Sequence, residues 1–101
     1  MAVNMNLNCD TVTAKIDGDI DHHTAGNIRK TIDVYIQDMH PKLLELDFGG
    51  VQFMDSSGIG LIMGRYKLMK LLNGQVSVIN VPEHLKRIID MSGLGVLGIL
   101  K

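Results

Sequence analysis

The order of apolar runs and helix-like stretches predicts an α/β domain: a mixed sheet in which an N-terminal hairpin strand is followed by parallel β-α-β crossovers. Three observations carry that expectation. Two alternating apolar–polar runs meet across a short polar turn near the N-terminus, which is a hairpin pattern. Further on, three stretches repeat apolar residues at every third or fourth position, the period of a helix packed on one side. Short apolar runs separate those stretches, and strands joined through helices run parallel.

Val3 to Leu7 and Thr11 to Ile16 are the hairpin strands, with Asn8-Cys9-Asp10 as their turn. Cys9 lies among strand-like residues and is expected to be a small buried hydrophobe. Asp17-Gly18-Asp19 is a second punctuation. A helix starting at Asp21 or Thr24 carries Ile28, Ile32, Tyr35 and Ile36, and it stops near Met39-His40-Pro41. Leu43 to Phe48 is the next strand, and apolar character resumes from Val51 to Met54. The helix opening after Ser57 places Ile59, Ile62, Met63, Tyr66 and Met69 at helical steps and ends near Leu72, before Asn73-Gly74. Val76 to Val81 is an apolar strand, Pro82 opens a helix with Leu85, Ile88 and Ile89, and Val96 to Leu100 is a last short strand.

A single domain over residues 1–101 is expected, because a chain of this length buries one core but not two. Ten basic and eleven acidic residues leave a net charge of −1, which gives no reason to expect nucleic acid as a partner. Nine of the eleven acidic residues fall between Asp10 and Asp55, while Arg65, Lys67, Lys70, Lys86 and Arg87 cluster later; solvated helix faces explain that distribution. No export signal is visible, and no apolar run approaches the ~20 residues that span a bilayer. A cytoplasmic protein without membrane contact is therefore expected. One cysteine permits neither an intrachain disulfide nor a thiolate metal cluster.

In open parallel sheets, functional loops gather at the carboxyl ends of strands. Gly18 to His23, Gly49 to Gly58 and Asn80 to His84 should then share one edge, making Asp19, Asp21 and Ser56 neighbours. The richest stretch is Phe53-Met54-Asp55-Ser56-Ser57-Gly58-Ile59-Gly60. Asp and Ser cap helix starts because their oxygens accept from unpaired backbone N–H groups. The same position suits a phosphorylated serine: its phosphate would lie at the positive end of the helix dipole, among free donors and beside Asp55. Chemistry alone does not choose between Ser56 and Ser57, although Ser57 is the better placed to act as the cap.

Other constellations are weaker. Asp21-His22-His23 lacks the paired i, i+4 histidines of zinc helices, and His40 and His84 stand in other loops, so no metal is expected. Gly58-x-Gly60-x-x-x-Gly64 departs from the dinucleotide fingerprint by one residue. Glycines at these steps instead let the helix start approach the sheet or a partner closely. There is no nucleophile elbow around Ser56, no histidine placed for a triad and no P-loop lysine. Neither enzymatic activity nor a cofactor is expected.

Gly18-Asp19-Ile20-Asp21-His22-His23-Thr24-Ala25, the Phe53 to Gly60 stretch, Gly64-Arg65-Tyr66-Lys67 and Asp90-Met91-Ser92-Gly93-Leu94 resemble the anti-sigma factor antagonists, bacterial anti-anti-sigma proteins built on the STAS domain. The resemblance spans nearly the whole chain in the expected order. The double-histidine helix start, Gly-Arg-Tyr-Lys and Met-Ser-Gly-Leu are most similar to the sporulation branch, the antagonists of the anti-sigma F factor. The general stress-response branch is the nearer alternative. A STAS module serving a transporter or lipid-transfer complex, and a small nucleotide-binding protein, are the competing classes.

The resemblance implies a STAS-like mixed sheet and a partner-switching cycle. The unmodified protein binds an anti-sigma factor that is also an ATP-dependent serine kinase, and so frees the sigma factor. Phosphorylation of the serine corresponding to Ser56 releases the antagonist, and a PP2C-type phosphatase restores it. The docking surface would comprise Asp19, Asp21, His22, Asp55, Ser57, Gly58 and Ile59, on a protein that is a monomer when free. Many relatives continue past the position of Lys101 into a further C-terminal helix.

Overall fold

The computed structural model describes residues 2–101. Its elements are β1 (Ala2–Asn8), β2 (Thr11–Ile20), α1 (Ala25–Met39), β3 (Leu43–Met54), α2 (Ser56–Leu71), β4 (Gln75–Ile79) and α3 (Glu83–Met91), followed by a 3-10 turn at Leu94–Leu97. The strands form one sheet in chain order, β1 antiparallel to β2 and the remainder parallel. That is the mixed sheet the alternation of elements predicts.

Alternate residues of the two central strands point inward, as a pleated strand requires: Val12, Ala14 and Ile16 on β2, and Leu44, Leu46 and Phe48 on β3. Ile28, Ile32 and Ile36 of α1 close over them, so the helical stripe read from the sequence is the buried one. Burial of each such side chain contributes roughly 1.5–3 kcal/mol. Helix α1 lies against β1 and β2, α2 lies against β3 and β4, and the two helices contact one another. Leu85 and Ile89 of α3 join the same core.

Several elements depart from expectation for identifiable reasons. The Asp17-Gly18-Asp19 punctuation is not a stop: β2 runs through it to Ile20 with Gly18 at φ 102°, and the pairing shifts register between Lys15 and Asp17 and between Gly18 and Asp19, where β3 carries the extra residues. Strand β3 likewise continues through Gly49-Gly50 to Met54. Cys9 is exposed, because the tight turn holds it at its apex with φ 55° and its side chain in water. In place of a strand from Val96, the segment winds into the 3-10 turn between Gly93 (φ 83°) and Gly98 (φ 69°), and Leu100 alone bridges β4 at Val78. Two left-handed glycines are incompatible with extended backbone there.

On α2 the buried side is Gly58, Leu61, Ile62, Arg65 and Met69, rotated from the predicted stripe; Ile59, Met63 and Tyr66 are half-buried. Gly58 packs directly on the Met54 side chain, and any β-carbon at this position would collide with it.

Strand β4 ends opposite Asp47, while β2 and β3 remain paired as far as Ile20 and Met54. The two central strands therefore overhang their neighbour. The Asn80 to His84 loop sits back from the other two, and His84 Nε2 reaches the Gln52 carbonyl oxygen at 2.7 Å.

Candidate functional site

Ile20 and Met54 are register partners, so the segments that follow them leave the sheet side by side. The Asp55 N–H donates to the Ile20 carbonyl at 3.1 Å and fastens the two exits together. Asp55 is the N-cap of α2. Its carboxylate accepts from the Ser57 N–H at 2.8 Å, and its carbonyl accepts from the Gly58 N–H at 3.0 Å. Ser57 is thus a capped residue and not the cap. Ser56 is the first residue of α2; it is exposed, and its hydroxyl makes no hydrogen bond among the described residues. Two early N–H groups of the helix are already held by Asp55, so a phosphate on Ser56 meets fewer free donors than an uncapped helix start offers.

The adjoining exit is built differently. The Asp21 carboxylate accepts from the His23 N–H at 2.8 Å and the Thr24 N–H at 3.0 Å, closing a tight turn. The bond from the His23 N–H is the largest influence on Asp21 and lowers its pKa; desolvation opposes it, and the Thr24 N–H bond and the His23 charge add to the lowering. The Thr24 hydroxyl is bonded twice, accepting from the Asp21 N–H at 3.0 Å and donating to the Asp19 carbonyl at 3.0 Å. Thr24 is the N-cap residue of α1 by position, without a side-chain cap bond of its own. His22 is exposed, its ring 3.9 Å from that of His23. Among the described residues, no group of three or more metal-ligating side chains converges.

The fold therefore gathers Asp19, Asp21, Asp55, Ser56 and Ser57 at the end of the β2–β3 overhang. Gly58 is buried beneath this edge and Ile59 is half-buried beside it. Sequence reasoning passed over Phe53, which is 53% exposed and is the register partner of Asp19. Strand alternation from the apolar pair Phe53-Met54 was the available signal: with Met54 directed to the core, its neighbour must face outward.

The model of the STAS domain matches residues 2–97, and the chain belongs to the STAS domain family. Within it the chain groups with the anti-sigma factor antagonists, which are regulatory proteins. The anti-sigma F factor antagonist of Paenibacillus polymyxa is 36% identical over 94 residues, covering 93% of this chain and 80% of that protein. The structure of the anti-sigma factor antagonist SpoIIAA in its unphosphorylated form matches with a TM-score of 0.85 at 28% identity, covering 99% of this chain and 86% of that one. The phosphorylated form of the Bacillus cell fate determinant SpoIIAA matches with a TM-score of 0.77 at 28% identity, over 99% of this chain and 89% of that one.

Proposed function

We propose that Ser56 is the switch of an anti-sigma factor antagonist. Unmodified, the chain binds an anti-sigma factor that is also a serine kinase, and the sigma factor is released. The kinase transfers the γ-phosphoryl group of ATP to the Ser56 hydroxyl oxygen, whose proton passes to a base on the kinase. A PP2C-type phosphatase hydrolyses the ester and returns the chain to its binding form. The chain is substrate throughout and not an enzyme; it acts as a single STAS domain, monomeric when free, in the cytoplasm where sigma factors work.

One observation carries this reading: an exposed, unbonded hydroxyl at the first residue of α2, on an edge that also bears Asp19, Asp21 and Asp55. The relatives named as anti-sigma factor antagonists, and a fold relative known in both phosphorylation states, support it. Phosphorylation adds a charge of about −1.5 to −2 next to carboxylates, while Asp55 occupies the nearest helix donors. Converting a mostly bound population to a mostly free one takes on the order of 5 kcal/mol of differential affinity. Desolvating such a phosphate in a contact face is a penalty of that scale.

The docking face consists of Asp19, Asp21, His22, Asp55, Ser57 and Ile59, with Phe53 as its apolar element; Gly58 acts beneath it by letting α2 start close to Met54. The test is incubation with the candidate anti-sigma kinase of the same genome and MgATP, read by intact mass and peptide mapping. One phosphate on Ser56 is expected. No phosphate, or a phosphate on Ser57, refutes the assignment.

A further inference from the structure

Helices α1 and α2 both begin at the edge that carries Ser56, α1 behind the Asp21 turn and α2 at Ser56 itself. Ile28, Ile32 and Ile36 press α1 into the core, and Leu61, Ile62 and Met69 do the same for α2. Such apolar contact is non-directional: it fixes how close each helix lies to the strands more than its sideways position. That position is left to whatever lies between the helices, and little does. A groove of about 310 Å³ separates their first turns, lined in part by Gly26, Gly60 and Gly64. A β-carbon at any of these three would meet nothing within 4 Å, so the facing helix does not press on them, whereas Gly58 is packed on Met54.

One polar contact does cross between the helices. Arg65 of α2 is 6% exposed, and its Nε lies 2.8 Å from Asp33 Oδ1 of α1. Its Nη1 donates to the Leu61 carbonyl at 3.5 Å, which ties the guanidinium to its own helix. Among the described residues this is the one ion pair that joins two helices; Lys42–Asp10 joins residues outside them, and Lys86–Glu83 lies within α3. Burial raises the Asp33 pKa, although Arg65 and then Arg29 pull it down. Burial also lowers that of Arg65 against the opposing pull of Asp33. Both charges are harder to hold here than in water, and a pair in that condition adds little to stability. What it supplies is a defined arrangement, because a charge that has lost its water keeps to its one partner.

We propose that Asp33 and Arg65 are a positioning pair: they fix the sideways spacing of α1 and α2, and so hold the Asp21 turn and Ser56 in the relative placement that an anti-sigma kinase recognises. The proposal rests on the partner-switching reading above and adds what sets the geometry of its docking face. Asp33 lies eight residues beyond Ala25, the start of α1, and Arg65 nine beyond Ser56, the start of α2. At about 1.5 Å per residue, both helix starts are about 12–14 Å from the pair. A swing of about 10° over that length moves a helix start by about 2 Å, and a misplacement of about 1 Å already impairs a fitted contact. Arg65 is too buried to touch a partner itself, so its effect on docking passes through the helices.

The test replaces the pair with apolar side chains, Asp33→Leu together with Arg65→Met. Both charges go at once, so the double variant should fold and melt no lower than wild type. Nitroxide labels on Asn27→Cys and Gly60→Cys, with Cys9→Ser, report the distance across the helix starts. It should be narrowly distributed when the pair is present, and shift or broaden by about 2 Å in the double variant. Affinity for the same genome's candidate anti-sigma kinase should fall at least about tenfold. KM for Ser56 phosphorylation should rise by a similar factor, with kcat within about threefold of wild type. Arg65→Lys keeps a single charged contact to Asp33 and should stay within about threefold in affinity. A double variant that melts below wild type makes the pair an ordinary stabilising contact and overturns the proposal. So does a stable double variant with unchanged label distances, or with wild-type affinity and KM, and either result leaves Ser56 phosphorylation intact. A wild-type protein that is neither bound nor phosphorylated overturns the partner-switching reading and, with it, the docking role of the pair.

Discussion

The two exits from the β2–β3 overhang use the same materials to opposite ends. Each places a carboxylate and a hydroxyl just beyond a strand: Asp21 and Thr24 after Ile20, Asp55 and Ser56 after Met54. At the first exit four residues, Asp21 to Thr24, separate β2 from α1, and the hydroxyl of Thr24 is drawn into two hydrogen bonds. At the second, the helix starts immediately after Asp55. The carboxylate reaches past Ser56 to the Ser57 N–H and leaves the intervening hydroxyl unbonded. Loop length therefore decides which hydroxyl is structural and which is available for chemistry.

The largest expected effect separates those two hydroxyls directly. Ser56→Ala should abolish phosphate uptake while changing stability by no more than about 0.5 kcal/mol, as for other surface substitutions. It should hold the anti-sigma factor persistently, and Ser56→Asp should bind about tenfold more weakly than Ser56→Ala. Equal binding by these variants would remove the electrostatic basis of the switch. Thr24→Ala should behave in the reverse way: phosphorylation continues on Ser56, but loss of two hydrogen bonds costs about 1–2 kcal/mol and lowers the melting temperature by roughly 5–10 °C. A thermal melt indistinguishable from that of Ser56→Ala would erase the contrast between the exits.

Smaller effects sharpen the contrast. Asp55→Ala should cost about 1 kcal/mol as a lost cap, and Asp55→Asn only a few tenths, because asparagine accepts the same bond. An Asp55→Asn protein as unstable as Asp55→Ala in denaturant titration would place the role in charge instead of capping. Asp21→Asn is the mildest, since its turn bonds survive as well. The Asp21 pKa is held below its ordinary 3.8, so the folded state binds that proton less readily than the unfolded state. Its contribution is present above the unfolded value and lost as pH falls through the folded one. Asp21→Asn should accordingly show a weaker loss of stability below about pH 4, and an unchanged acid-unfolding curve would contradict this. At neutral pH the same folded variant reports on docking, and undiminished kinase binding would remove Asp21 from the contact face.

Much of the edge was legible because it depends on neighbours in the chain. The Asp-Ser-Ser-Gly stretch after an apolar run marks a capped helix start through local preference alone, and parallel crossovers bring alternate loops to one end. Within that stretch, the sequence favoured Ser57 as the cap because serine and aspartate cap almost equally well. The choice fell to Asp55 through the register that binds its N–H to Ile20, a residue thirty-five positions earlier. Asp17-Gly18-Asp19 carries the same composition whether it ends a strand or continues one, and only pairing with β3 distinguishes the two.

The sequence by itself determined the class of fold, the order of the elements, the inward residues of α1, β2 and β3, and the stretch that holds the proposed switch. These follow from periodicity, turn chemistry and capping, all of which act over a few residues. The tertiary structure decided which hydroxyl stays free, that Cys9 faces water, that β4 stops short of the working edge, and that Gly58 is packed while Gly60 and Gly64 stand open. Those outcomes depend on strand register and on how α1 and α2 meet, contacts between residues far apart in the chain that no local pattern encodes.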